Sequence, residues 1–343
     1  MAPRNVVKSL SRTAVAIASL MVAVSVTIGV SLMVSSFRYT LIIWLEEILS
    51  GDIYISAPSL TAVQTSAPID PQVLPILEKL PEVQTIYVLR STEVDSPQGS
   101  IHINASSNPN VARERLYYAL DYPLDELPEK LHDGAVVVSE PLAARLNLPR
   151  HGGKLELFTD QGLKEFLIVG IFYDYASVQG TVLMSLDRYR QEWNDQTITA
   201  ISLKLLPGQD IEAVNQQVKQ SLASVQRLIV RPNQALRDEV MVVFDRTFAI
   251  TGALQLLATL VAFFGILSAL LSLELERQRD VGILRAIGLT NRQIWGLIML
   301  ETGLMGAAAG LLAMPTGYSL ALILIYIINK RSFGWTLQME LFP

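Results

Sequence analysis

The residues best suited to acid–base or metal chemistry in this chain are its three histidines, His102, His132 and His151. None has an i,i+4 partner of the kind that builds a helical metal site, so no metal ligand set is expected. There are no cysteines, which removes disulfides and any thiolate-based zinc, haem or redox site. Serines and carboxylates are plentiful, yet neither G-x-S-x-G nor H-E-x-x-H occurs, and no G-x-x-x-x-G-K-[ST] loop is available to hold a nucleotide. No catalytic residue, cofactor or nucleic-acid partner is expected. Tyr117, Tyr118 and Tyr122 read as a ligand surface or as ordinary packing.

The reactive-looking chemistry is concentrated instead in one short stretch, LELERQRDVGILRAIGLTNRQI, residues 273–294. It holds Glu274, Glu276 and Asp280 with Arg277, Arg279, Arg285 and Arg292, and apolar Val281, Ile283, Leu284 and Ile287 lie among them. Two ion pairs at i,i+3, Glu276 with Arg279 and Arg277 with Asp280, support a helix over 274–287. Val281, Leu284 and Ile287 form a narrow stripe on it. Gly288 stands where a helix ends in the left-handed conformation. Thr290-Asn291-Arg292-Gln293 then reads as a capping box that opens the next helix. A lipid-lying helix would carry fewer acids, so the pattern favours a protein partner at the cytoplasmic surface.

That stretch is held between long apolar runs. The chain is 50% hydrophobic with 17% charged residues, against roughly 25% charged in soluble domains. Thr13–Ser36 carries no charge over 24 residues, Thr247–Leu273 none over 27, and Ile294–Ile328 only Glu301 in 35. About 20 apolar residues cross a bilayer, so three spans are expected. The first is too long for a signal-peptide core, and no A-x-A site follows it. Arg4, Lys8 and Arg12, without an acid among residues 1–12, favour a cytoplasmic N-terminus.

Parity then assigns 1–12 to the cytoplasm, 13–36 to the first span and 37–246 to the outside. The second span is 247–273, the cytoplasmic helix and turn 274–293, and the third span 294–328. Residues 329–343 follow outside, with Lys330 and Arg331 on the disfavoured side. A break of the third span near Pro315 would return them inward, but 316–328 is too short for comfort as a crossing. Within the spans, Gly306 and Gly310, with Gly303 nearby, and Ser25 with Gly29 have the small-xxx-small spacing that permits close helix approach. Glu301 lies about 10 Å into the third run and either faces a bundle interior or snorkels to the headgroups.

Residues 37–246 carry 18 Lys/Arg and 27 Asp/Glu and mix strand with helix signals. Lys154–Phe158 alternates, Thr159-Asp160-Gln161-Gly162 turns, and Phe166–Ile171 returns as a hairpin. Ala135–Val138 is a strand, with Ser139 as cap for a helix beginning Glu140-Pro141. Ile201–Leu205, a helix capped by Asp210 and running to Leu222, and Arg227–Val230 form a strand–helix–strand unit. Asn233 is a further cap, opening a stalk over 234–246 that runs into the second span without a proline. The fold class expected is α-helical membrane spans plus an α+β extracytoplasmic domain.

Residues 274–294, with Glu301 and the glycines at 303, 306 and 310, resemble the segment after the second span in FtsX-like/MacB-type ABC transporter permeases. SEPLAARLNL (139–148), VGIFYDY (169–175) and GTVLMSLDRYR (180–190) are similar to the MacB-type periplasmic core domain, and residues 4–38 to the start of the second half of ten-span members. The resemblance implies a permease subunit or fragment in the plasma (inner) membrane, multi-pass, with an ABC ATPase subunit docked at its cytoplasmic face and a second permease half or protomer beside it. Residues 274–289 would be the coupling helix, with Glu276, Arg279, Val281, Leu284, Arg285, Ile287 and Gly288 at the ATPase contact. The family unit has four spans, whereas Pro343 stands about where the fourth would begin. A ligand-sensing membrane receptor without transport is the alternative.

Overall fold

The computed structural model describes residues 10–58, 67–276 and 278–339, except for some side chains among 10–16 and 266–280. Its elements fall into two compact units: one of helices, made within the described residues from 10–38, Val243–Ile328 and 337–339, and one of mixed structure, Tyr39–Val242 with Asn329–Thr336.

Helix α1 is Leu10–Ile48, and the first strand of the mixed unit, β1, is Ile53–Ser56. There follow α2 (Val73–Leu77), β2 (Val83–Ser96), β3 (Gly99–Ser106), β4 (Tyr117–Leu120), α3 (Leu127–His132), β5 (Val136–Ser139) and α4 (Glu140–Arg145). Next come β6 (Lys154–Thr159), β7 (Gly162–Phe172), β8 (Thr181–Ser185), α5 (Leu186–Trp193), β9 (Ala200–Leu205), α6 (Ile211–Leu222) and β10 (Ile229–Pro232). The strands form one mixed sheet in the order β10-β1-β9-β2-β3-β8-β5-β7-β4, with β6 paired to β7. β3 runs parallel to β8 and β5 parallel to β7; the other pairs are antiparallel.

The unbroken Val136-Val137-Val138 run reflects a strand covered on both faces. Side chains alternate across a sheet, so Val136 and Val138 join Ile103, Leu142, Phe166 and Met184 in one core, while Val137 joins Leu127, Leu131 and Val169 in another. A third core, under α2 and α6, gathers Ile53, Ile55, Val73, Leu203, Val214 and Val218. Asp195 ties β2 to α5. Its carboxylate accepts from Arg90 Nε at 2.7 Å, Tyr189 Oη at 3.0 Å and Thr197 N at 2.9 Å. Burial pushes this acid upward, but the hydrogen bonds win and hold its pKa at about 2.

The hairpin of β6 and β7 pairs Lys154 with Leu167 through Thr159 with Gly162. Asp210 caps α6, accepting from the Glu212 and Ala213 amides at 3.0 and 3.3 Å. Two other caps differ from expectation. Ser139 precedes α4 in extended conformation, but its hydroxyl accepts from Thr181 N at 2.8 Å across the sheet. Asn233 donates its amide to the carbonyls of Leu49 and Gly51 and takes Arg237 Nε on its oxygen. In both cases a tertiary partner claims the side chain that local sequence offers to the helix end. His102 is a buried residue of β3.

The helical unit contains the remainder of α1 and α7 (Asn233–Glu276), then α8 (Gln278–Ala286) and α9 (Asn291–Leu322). Pro315 does not break α9, which leaves α-geometry only at a π-helical stretch, Ile323–Asn329. Among the described residues three helices are long and apolar enough to cross a membrane: Ile17–Ile48, Asn233–Gly265 and Asn291–Phe333. α1 packs on α9 along a small-residue seam. Met305, Ala309, Ala313, Gly317 and Ala321, each four residues apart, are all buried. Ser25 Oγ donates to the Ala313 carbonyl at 3.2 Å. A Cβ built on Gly29 would lie 3.0 Å from Leu320 and 3.1 Å from Gly317 O. Gln255 on α7 reaches α1, donating to Thr27 O at 3.0 Å and Ser31 Oγ at 3.1 Å. Apolar helices gain little from contact in lipid except by such close approach and polar bridging.

The seam sets a test. In Gly317→Ala the new Cβ would meet Ile28 Cβ at 2.8 Å and Ser25 O at 2.9 Å, and overpacking of this kind costs about 1–3 kcal/mol. Thermal unfolding of the detergent-purified chain is expected to fall for Gly317→Ala and to change little for Gly306→Ala, where a Cβ meets nothing within 4 Å.

Candidate functional site

The end of α8 and the start of α9 form a corner built from two terminators. Gly288 has φ +98°, a backbone state that costs other residues about 1–2 kcal/mol. The Leu289 amide donates to Leu284 O at 3.1 Å and the Gly288 amide to Arg285 O at 3.0 Å, the paired bonds of a Schellman motif. Thr290 then caps α9 in extended conformation within a capping box, its own amide donating to Gln293 Oε1 at 2.9 Å. One helix therefore stops and another starts within four residues, and backbone groups at both ends are satisfied.

The helix expected over 274–287 is divided differently. Residues 274–276 complete α7, residue 277 lies outside the described residues, and α8 begins at Gln278. The side chains of Glu276 and Arg279 are likewise outside the described set. Val281 and Leu284 are half-buried, whereas Arg285, Ile287 and Gly288 are exposed. A groove of about 540 Å³ runs beside α8, lined by Leu275, Val281, Arg285, Ile294, Trp295 and Ile298 among others. Ile283 and Ile287, one turn apart, are 55% and 69% exposed, and Trp295 62%. The stripe in the sequence is thus two stripes: Val281 and Leu284 lie against the helical unit, and Ile283 and Ile287 face away. Trp295 is not among the residues the sequence pattern singles out, although it stands two positions after the capping box.

Of the small residues, Ser25 and Gly29 lie in the α1–α9 seam. Gly303, Gly306 and Gly310 lie away from it, with open space where a Cβ would stand. The frame that packs is Ala309-Ala313-Gly317-Ala321. Glu301 occupies the same buried ladder, 6% exposed, so within this chain it faces the helical seam rather than the surface.

The second feature is a strap in the mixed unit, Asn329–Thr336, containing the short helix α10 (Lys330–Phe333). Glu140, 3% exposed at the start of α4, is its anchor. The carboxylate accepts from Thr336 N at 2.8 Å, Thr336 Oγ1 at 2.6 Å and Lys330 Nζ at 3.3 Å. Tyr175 Oη donates to Thr336 O at 2.7 Å. Burial, followed by the Glu140 charge, pushes this phenol upward, so it stays a donor at neutral pH. Trp335 packs edge-on against Tyr175 with ring centroids 5.7 Å apart. Lys330, which looked misplaced by charge, has a buried carboxylate and the face of Tyr118 for neighbours.

Two family descriptions match this chain: the MacB-like periplasmic core domain over residues 13–221 and the FtsX-like permease C-terminal region over 252–343. The uncharacterized ABC transporter permease protein Rv0987 of Mycobacterium tuberculosis is 44% identical across 99% of the chain, and the uncharacterized ABC transporter permease MJ1507 of Methanocaldococcus jannaschii 24% across 50%. The chain spans 40% and 44% of the length of these two relatives. The crystal structure of the periplasmic region of MacB from Actinobacillus actinomycetemcomitans is similar at 10% identity with TM-score 0.40, over 57% of this chain and 95% of that one.

Replacing Gly288 tests the corner. Gly288→Ala must hold φ +98° with a side chain, so the end of α8 is expected to fray, with amide exchange over 284–289 about fivefold faster or more. Unchanged protection would mean that the Schellman turn does not set this corner.

Proposed function

The chain belongs to the FtsX-like, MacB-type family of ABC transporter permeases, and on that premise we propose that it couples ATP hydrolysis by a partner ATPase to movement of its mixed α+β unit. In this reading the mixed unit is extracytoplasmic, α8 and the α8–α9 corner face the cytoplasm, and the protein is a multi-pass component of the plasma (inner) membrane. ATP is bound and cleaved by the partner, and a second permease half or protomer completes the assembly. The movement would serve export, extraction or mechanical signalling.

The observation that carries the reading is the α8–α9 corner. Its geometry is fixed by two caps, its outer side presents Ile283 and Ile287 among charges, and the apolar groove with Trp295 lies beside it. Exposed aliphatic and aromatic side chains rimmed by charge are what a protein contact needs. Connectivity supports the topology. α1 and α7 each carry the chain between the helical and mixed units, and after α9 the chain enters the mixed unit again at the strap. Three crossings satisfy that arrangement, with residues 329–336 on the domain's side, which is also where Lys330 finds Glu140.

Charge introduced at Ile283 and Ile287 checks the assignment. An Ile283→Asp/Ile287→Asp chain, purified from membranes, is expected to recover at least about tenfold less ABC ATPase than the native chain by quantitative mass spectrometry, since hot-spot losses of 2 kcal/mol or more are ordinary. Leu163→Asp, at an exposed hairpin position of the mixed unit, is the control and keeps its ATPase. Equal recovery from both variants would place docking elsewhere.

A further inference from the structure

The mixed unit holds a partly open cavity of about 180 Å³ bordered by Trp44, Phe172, Arg115, His102, Asp174 and Thr181 among others. Two of its polar groups are unfinished. His102 is 7% exposed, with Nε2 2.8 Å from Ser91 Oγ and Nδ1 buried without a partner. The Ser91 hydroxyl donates to Asn104 Oδ1 at 2.7 Å, so Nε2 must carry the proton and Nδ1 is a bare acceptor. Arg115 stacks over Phe172 at 5.7 Å, and its guanidinium has neither a hydrogen bond nor an ion pair among the described residues. A guanidinium offers five donors in a fixed fork suited to a carboxylate.

The charges nearby restrict what fits. Arg115 interacts electrostatically with Asp174, Glu114 and Glu47, of which Asp174 also lines the cavity, so its positive charge is already offset and a bare anion is disfavoured. A bare cation would leave the Arg115 donors without an acceptor. Asp174 is itself buried, with Thr181 Oγ1 on one oxygen at 2.9 Å and the Ala176 amide on the other at 3.1 Å. A carboxylate keeps spare lone pairs after two such bonds. Size decides further, because 180 Å³ is below the ordinary range for drug-sized ligands, roughly 300–1,000 Å³.

We propose that this cavity binds a small free α-amino acid, its carboxylate on Arg115 and its ammonium shared between Asp174 and His102 Nδ1. Neither the family matches nor the corner at α8 assigns such a site. Because binding is read without any ATPase, the proposal stands apart from the docking surface.

The test is calorimetry on the full chain in lipid nanodiscs with glycine, alanine, serine and the remaining common amino acids, against acetate and ethylamine. At least one small amino acid is expected to bind saturably with Kd below about 1 mM, at least tenfold tighter than acetate or ethylamine. Arg115→Gln and His102→Phe should each weaken that binding about tenfold or more, while Arg115→Lys retains part of it and Tm stays near the native value. Absence of saturable binding by any amino acid up to about 10 mM overturns the proposal and leaves a water-filled cavity. Equal binding by Arg115→Gln overturns it too. If Arg115→Gln does not fold, His102→Phe and the acetate comparison still decide.

Discussion

The Glu140 carboxylate is the group on which the topology depends. An ionised carboxylate taken out of water is costly unless charge and hydrogen bonds replace its hydration. Here the replacement comes from outside the domain's own sequence segment: the amide and hydroxyl of Thr336 and the ammonium of Lys330. Leaving the strap undocked would leave Glu140 buried with little to accept from. The domain is therefore completed by residues that follow the last apolar helix in the chain.

The helical unit meets a different constraint. In a bilayer, contact between apolar helices gives no hydrophobic gain over contact with lipid, so backbones must approach closely to profit from packing. Ser25 and Gly29 on α1 and Ala313 and Gly317 on α9 supply that approach, and Gln255 adds a polar tie from α7. Large exposed side chains on α7, such as Leu254, Leu257, Val261 and Phe264, are then left for lipid or for other subunits. A seam of this kind holds helices together while the corner at Gly288 stays short and fixed, which suits the coupling role proposed for it.

Features whose cause is local are legible in the sequence. The Gly288 terminator, the Thr290–Gln293 box, the Asp210 cap and the β6–β7 hairpin all follow from residues within a few positions of one another. The sequence was a poor guide where a side chain had two suitors. Ser139 and Asn233 carry good caps, but Thr181 across the sheet and the Leu49 and Gly51 carbonyls claim them. The seam was missed by frame: Gly306 and Gly310 attract the eye, yet the buried ladder of alanines one residue short of Gly310 does the packing. Outward Ile283 and inward Val281 differ only by which helix lies beside them, which periodicity alone does not reveal. The cavity was invisible, since Ser91, His102, Arg115 and Asp174 are brought together by sheet pairing and share no motif.

In the proposed mechanism ATP turnover by a partner moves the mixed unit. Because the chain has no cysteines, spin labels can be placed singly at Leu163→Cys on the β6–β7 hairpin and Arg292→Cys at the corner. Electron–electron distance measurement in nanodiscs, with the co-purified ATPase, is expected to give a distribution that shifts when ATP and magnesium are added and returns once ATP is consumed. A distribution that stays the same through turnover would contradict the claim.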